Sequence, residues 1–174
     1  MHSHPLFISG LAQFHLLTYS TLLGTEIYQT FLMTRVAHQA LPRSAFTTLQ
    51  KRVFPIYFRV QSFLIIVTAI TYPPRGSPSL IRRWTPFAIA GFTAVLNLLV
   101  YGPRTRQVMI DRIHQETVDG RKSGGLVHIS PEMERLNRAF SLAHAMSIHL
   151  NLITIGATIW HGLRLASAMK FHGA

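Results

Sequence analysis

The chain alternates between long apolar segments and short basic ones. No Lys or Arg occurs in residues 1–34, 60–74, 84–103 or 139–163. A helix needs about 20 mainly apolar residues to cross the hydrocarbon core of a bilayer. The first, third and fourth segments reach that length, so the pattern predicts an all-α integral membrane protein.

The second apolar segment is the shortest of the four. It spans a bilayer only if it begins near Phe54 and includes Arg59. Pro55 suits the first turn of a helix, so we expect this span to open there. The prediction is a four-helix bundle forming one membrane domain. Its bounds are 1–174, with spans at about 7–34, 54–72, 84–101 and 139–165.

The longest polar stretch, residues 104–138, separates the third and fourth spans. Gly102 and Pro103 should break or kink the chain before it. A charged helix should follow as far as Val118, and Ser130 is a suitable N-cap for the next helix. We therefore predict an extended cytosolic helical hairpin between spans 3 and 4.

Basic residues indicate the orientation. The two longer loops and their flanks, residues 35–53 and 102–138, together hold eleven Lys and Arg, and the opposite side holds five. Cytoplasmic loops carry the excess of positive charge. We predict that both loops are cytoplasmic, in an endomembrane or another organelle membrane.

Composition agrees with a membrane class. Hydrophobic residues make up 48% of the chain and charged residues 13%, whereas a soluble domain carries about 25% charged residues. The net charge of +11 would suggest nucleic acid in a soluble protein. Here the basic residues flank apolar spans, as anchors to lipid headgroups do. The expected partner is the lipid bilayer and not nucleic acid.

Ionisable side chains inside a span suggest function. Counting from the helix ends places one polar residue of each span in the cytoplasmic third of the bilayer. We predict a cluster there, formed by Glu26, Arg59, Asn97 and His144. Two alternatives stay open: a purely structural Glu26–Arg59 ion pair, or an Arg59 side chain that reaches to the headgroups.

A second polar stripe follows span 4 at alternating spacings of three and four residues. Its members face other helices, either as contacts between helices or as a substrate path. With His15 on span 1, the candidate seam comprises His15, Ser147, Asn151, Thr154 and Thr158, in register with His144 and His161. Counting depth puts His15 level with about Gly156, which argues against a haem bound between two histidines.

Several short motifs resemble those of the transmembrane protein 205-like family of small eukaryotic membrane proteins. The resemblance covers about residues 11–165 and departs from the family pattern at Glu26 and Arg59. It rests on Phe14-His15-Leu16, Leu41-Pro42-Arg43, Gln50, Phe54-Pro55-Ile56-Tyr57-Phe58, Pro103-Arg104-Thr105, Asn137-Arg138-Ala139-Phe140, His144 and Asn151. It implies a four-span protein with no established catalysis, linked to vesicle trafficking or to the export or tolerance of toxic compounds.

Three functions follow as hypotheses. The first is a membrane protein that handles a solute, as a homo-oligomer because four helices enclose little space. The second is a non-catalytic organiser that docks a cytosolic protein partner through residues 104–138. The third, a haem or redox enzyme, ranks last: the sequence has no HExxH, Walker or GxSxG motif. We expect no cofactor, metal or catalytic residues.

Overall fold

The computed structural model describes residues 5–73, 80–122 and 130–168, and all regular secondary structure in them is helical. Two short π-helical segments, π1 and π2, interrupt the α-helices without breaking them. The elements are α1 (Pro5–Ile27), π1 (Tyr28–Met33), α2 (Thr34–Ala40), α3 (Arg43–Ile70), α4 (Leu80–Leu96), π2 (Asn97–Tyr101), α5 (Gly102–Lys122) and α6 (Pro131–Ala168).

These elements make long helical runs that pack side by side. The runs are residues 5–40, 43–70, 80–122 and 131–168. Helix α1 packs on α3, α3 on α4, α4 on α6, and α6 returns to α1. The packing therefore closes a bundle around a central interior.

Within the described residues, three helices are long and apolar enough to cross a membrane: Arg43–Ile70, Arg83–Gly120 and Pro131–Ser167. The chain is thus an all-helical integral membrane protein, as its apolar segments predict. A fourth crossing by residues 5–40 remains a prediction.

Helix α3 begins well before the span predicted from Phe54. Pro42 is its N-cap, with ψ 148, and the helix runs from Arg43 with Pro55 in its interior. The expectation that Pro55 opens the helix is wrong. The chain leaves helical geometry at Leu41 and Pro42, and Pro55 removes only one backbone donor from a helix that its neighbours hold in place.

Of the two alternatives predicted at Gly102 and Pro103, a break or a kink, the break is absent. Segment π2 leads directly into α5, and the Gly102 N–H donates to the Asn97 carbonyl. The wider bonding pattern of a π turn accommodates the missing N–H of Pro103 without ending the helix. A Cβ atom at Gly102 would lie 2.5 Å from the Asn97 carbonyl oxygen and 3.2 Å from the Phe58 ring.

The helix that follows Gly102 forms a hairpin with the start of α6. The Ser130 hydroxyl donates to Asp119 at 2.7 Å and accepts the Met133 N–H at 3.2 Å. Ser130 therefore caps α6, as predicted, and ties it to α5. The turn between these helices lies outside the described residues.

The interior of the bundle holds many polar side chains beside an apolar cluster, and its outside is largely apolar. The largest side chains with almost no exposed surface include His15, Gln61, Glu26 and Asn97. Large apolar side chains such as Phe63 cover the outside. Water-soluble proteins show the opposite arrangement, so this bundle matches an apolar solvent.

Candidate functional site: the buried polar network

Glu26 is the acidic centre of the interior. It lies near the end of α1 and has no exposed surface. Its Oε1 atom accepts hydrogen bonds from Gln61 Nε2 at 3.0 Å and from the Thr158 hydroxyl at 3.3 Å. Its Oε2 atom has no hydrogen-bond partner among the described residues. The carboxyl group is therefore only half satisfied.

Gln61 connects Glu26 to a second group of polar side chains. Its Nε2 atom also lies 3.3 Å from the Tyr57 hydroxyl and 3.2 Å from Asn151 Oδ1. Tyr57 donates to the same Asn151 oxygen at 2.9 Å, and Asn151 Nδ2 donates to the Thr30 hydroxyl at 2.9 Å. Side chains from π1, α3 and α6 thus meet at Asn151.

Two further contacts join α4 and π2 to α6. The Thr93 and Thr154 hydroxyls lie 2.7 Å apart. Asn97 Nδ2 donates to the Ser147 carbonyl at 2.9 Å, whereas Asn97 Oδ1 has no partner among the described residues. All of the packed helical runs therefore contribute polar groups to the interior. We call this set the polar network: Glu26, Thr30, Tyr57, Gln61, Thr93, Asn97, Ser147, Asn151, Thr154 and Thr158.

A pair of histidines lies at the other end of the interior. The Nε2 atoms of His15 and His161 are 3.1 Å apart, and His15 Nδ1 is 3.2 Å from the Thr71 hydroxyl. Both rings are almost completely buried. We call His15 and His161 the histidine pair, and the side of the bundle where α3 ends at Thr71 the Thr71 end.

Aromatic rings surround the histidine pair. Phe87 and Tyr72 lie 4.5 Å and 5.6 Å from the His161 ring centroid. Arg83 covers Tyr72, with its guanidinium carbon 4.4 Å from the ring centroid. The rings and the arginine thus separate the pair from the surface.

A small cavity lies between the polar network and the histidine pair. Its volume is about 10 Å³, which is room for about one water molecule. Its polar lining comprises Tyr19, Thr68, Thr158 and His161. Because Thr158 also contacts Glu26, the cavity adjoins both groups.

No hydrogen bond, ion pair or ring contact joins any two members of the predicted cluster in the described residues. Glu26 and Asn97 are buried, but Arg59 is exposed on the outside of α3. His144 is half-buried and stacks on Phe140 at 5.3 Å. Neither Arg59 nor His144 has a recorded contact with Glu26 in the described residues. Gln61 takes the place expected for Arg59.

Helix geometry explains this difference. Residues 59 and 61 are two positions apart, so their side chains point about 200° apart around the helix. Gln61 shares a face with Tyr57 and Thr68, and that face is buried. The spacing of these polar residues was the available signal. An estimate of membrane depth alone selected Arg59, because it does not take into account the helix face on which a residue lies.

The seam residues of α6 all face the interior. Ser147, Asn151, Thr154 and Thr158 are each buried. The depth assigned to His15 is wrong, because His15 contacts His161 and not the level of Gly156. Counting residues from the helix ends assumes that all helices begin at the same depth in the membrane, whereas these helices begin at different heights. The two Nε2 atoms bind each other directly in this arrangement.

The chemistry available here is hydrogen bonding and proton transfer. In the part of the chain that is described, no three His, Asp or Glu side chains converge in a way that could hold a metal ion. The interior contains a carboxyl group, that of Glu26, and the two imidazoles of the histidine pair, all of which can change protonation. The hydroxyls and amides between them can donate and accept.

Comparison with known proteins identifies the family. Residues 17–114 match the family described as Domain of unknown function (DUF4149). The chain belongs to this family. The matched DUF4149 segment includes Glu26, Gln61 and Asn97, and it ends before α6 begins.

One relative extends the match across α6. The Xanthocillin biosynthesis cluster protein D of Aspergillus fumigatus is 39% identical over 165 residues, covering 93% of each chain. No solved structure matches the chain. The chain is thus a DUF4149 membrane protein, and one of its relatives is named for a xanthocillin biosynthesis cluster.

Proposed function

We propose that the chain is a four-span membrane protein that handles a small organic solute, as the transmembrane protein 205-like resemblance implies. The observation that carries this proposal is the half-satisfied Glu26 carboxyl inside a polar interior. A polar network that only joined helices would gain from satisfying every buried atom. Unsatisfied atoms are available to a ligand.

The relative's name supports the solute class. It places that protein in the biosynthesis cluster of a small molecule. We infer that this chain acts on a secondary product or its precursor, by moving it across the membrane or keeping it from harming the cell. Catalysis is not part of the proposal.

The cavity of about 10 Å³ holds no organic solute, so the described arrangement is the closed form. Opening requires the helices to separate or a second copy of the chain to complete a path. We propose a homo-oligomer in an organelle membrane, with loops 35–53 and 102–138 on the cytoplasmic side. The apolar outer surface of the bundle faces lipid or the second copy.

Deleting the gene for this chain in the organism that carries it tests the proposal, with the secondary products of that organism as the measured compounds. Loss of the gene should change the ratio of intracellular to secreted product, measured by mass spectrometry. Wild-type chain should restore the ratio, and Glu26→Gln should not. Arg59→Gln is the matched control, because it alters a charged side chain on the outside of α3. Membrane levels of each variant are measured by immunoblot.

The second candidate is an organiser that docks a cytosolic protein through residues 104–138. The closed interior favours it, because an organiser needs no path through the bundle. The exposed ion pairs of the hairpin favour it as well. Deleting residues 112–128 would abolish complementation by an organiser and leave solute handling largely intact. Complementation by Glu26→Gln but not by the deletion would overturn the first proposal.

A further inference from the structure

We infer, on the basis of the proposed function, that the solute carries a protonated amine and that Glu26 and Gln61 bind it. Two observations point to this class of solute: the charge of the site and the kind of polar atom left unpaired in it. The two side chains come from α1 and α3, which pack on each other. A bound amine would therefore lie between two helical runs.

The site carries a negative charge that no basic side chain balances. The chain has 6 Asp and Glu residues, and all except Glu26 lie within residues 104–138. Glu26 has no exposed surface, and no Lys or Arg of the described residues lies within ion-pair distance of it. A buried carboxylate is costly unless a cation is paired with it. A ligand with one positive charge would supply that cation.

The unpaired atoms of the polar network all accept hydrogen bonds. Among the described residues, its buried side-chain atoms without a partner are Glu26 Oε2, Gln61 Oε1 and Asn97 Oδ1. The two amide nitrogens are already bonded, Gln61 Nε2 to Glu26 and Asn97 Nδ2 to the Ser147 carbonyl. Carboxylate and amide oxygens can only accept. A ligand that satisfies them must therefore bring donors.

The free oxygens of Glu26 and Gln61 belong to groups that are already in contact. Gln61 Nε2 lies 3.0 Å from Glu26 Oε1, and the Thr158 hydroxyl holds the same Oε1 atom at 3.3 Å. An ammonium group has three donors, which is enough for both free oxygens while the existing bonds stay. Because the closed bundle holds no organic solute, the amine binds in the open form.

The same arrangement disfavours the other common classes of solute. A carboxylate or phosphate would place a second negative charge beside Glu26, and like charges in a buried site repel each other. A ketone or an ether brings only acceptors and would leave both oxygens unpaired. An alcohol can donate one hydrogen bond but brings no charge. The protonated amine is the class that supplies both donors and a positive charge.

Thermal unfolding of the purified full chain in mild detergent, with three probes of similar shape, tests the amine class. Phenethylamine is protonated at neutral pH, as the Lys side chain is. Phenethyl alcohol is neutral, and phenylacetate is an anion. A ligand that binds the folded chain raises the melting temperature as its concentration rises. We expect phenethylamine to raise it, whereas the other two probes and sodium chloride at the same concentration should not.

Three variants locate the effect at Glu26 and Gln61. Glu26→Gln keeps the shape of the side chain without its charge, and it should weaken the apparent affinity for phenethylamine at least about tenfold. Gln61→Met keeps the carboxylate, so it should weaken the affinity less, and it is informative if Glu26→Gln does not fold. Arg59→Gln is the matched control on the outside of α3, and its affinity should equal that of the wild-type chain.

Several results would overturn the amine class. One is the lack of a phenethylamine shift in the wild-type chain, and another is an equal shift in folded Glu26→Gln. A shift with phenylacetate, phenethyl alcohol or sodium chloride as large as that with phenethylamine would overturn it too. None of these results changes the ratio of intracellular to secreted product after gene deletion. The amine class can therefore fail while solute handling stands, and the two failures are distinguishable.

Discussion

The bundle and the α5–α6 hairpin expose opposite kinds of side chain. In the bundle, Glu26, Gln61 and Asn97 have no exposed surface, and residues such as Phe63 lie outside. In the hairpin, Leu136 is buried and the ion pairs Glu132–Arg135 and Glu134–Arg138 lie outside. The difference shows where the chain meets lipid and where it meets water.

The comparison also shows what holds each region together. Burying apolar surface drives association in water, whereas helices in lipid associate through close packing and hydrogen bonds. Substitutions inside the bundle should therefore matter more than those on its apolar outside. In the hairpin, the exposed charges should matter least.

The largest effect is expected from overpacking the interior. Ala94 has no exposed surface, and its neighbour Val95 is 44% exposed. Ala94→Leu should destabilise the chain by about 1–3 kcal/mol, because the added carbons have no space. Val95→Leu should leave the melting temperature in mild detergent nearly unchanged. Equal losses in the two variants would contradict the assignment of the inner face.

The next effect is expected at the centre of the polar network. Asn151→Leu removes hydrogen bonds to Tyr57, Gln61 and Thr30. We expect a loss of about 1–2 kcal/mol in thermal stability measured by unfolding in detergent. Leu152→Met, on the exposed side of α6, is the control. A stabilised Asn151→Leu would mean that the network is present only for function.

A smaller effect is expected for one hydroxyl pair. Thr93→Val removes the contact with Thr154 and should cost about 0.6 kcal/mol, the mean for such bonds in a membrane helix bundle. Thr85→Val removes a bond only to its own helix, at the Ile81 carbonyl. Thr93→Val should therefore lower the melting temperature more than Thr85→Val does. A larger loss in Thr85→Val would mean that the wrong face of α4 has been assigned to the interior.

The smallest effect is expected in the hairpin. Arg135→Ala breaks an exposed pair with Glu132, and such pairs add little because water and salt screen them. The melting temperature should stay within experimental error, and raising the salt concentration should not change that result. A marked loss would mean that the hairpin packs against something other than water.

The sequence was sufficient for the membrane class because the windows without Lys and Arg match bilayer thickness. It also identified Glu26, His15 and the α6 stripe by their spacing. It did not identify Gln61 as the partner of Glu26, because depth counting ignores the direction of a side chain. It placed His15 at the wrong height, because relative helix heights depend on tertiary packing. The π segments left no sequence signal that we used.

The π segments have a consequence for comparing related chains. A π turn holds one residue more than an α turn, and each residue adds about 100° of rotation. Deleting one residue within Tyr28–Met33 would restore regular geometry and rotate everything before it. Glu26 and His15 would then turn away from the interior together. A one-residue gap at this position in a related chain therefore indicates that other residues of the first helix face the interior. It does not indicate merely a shorter helix.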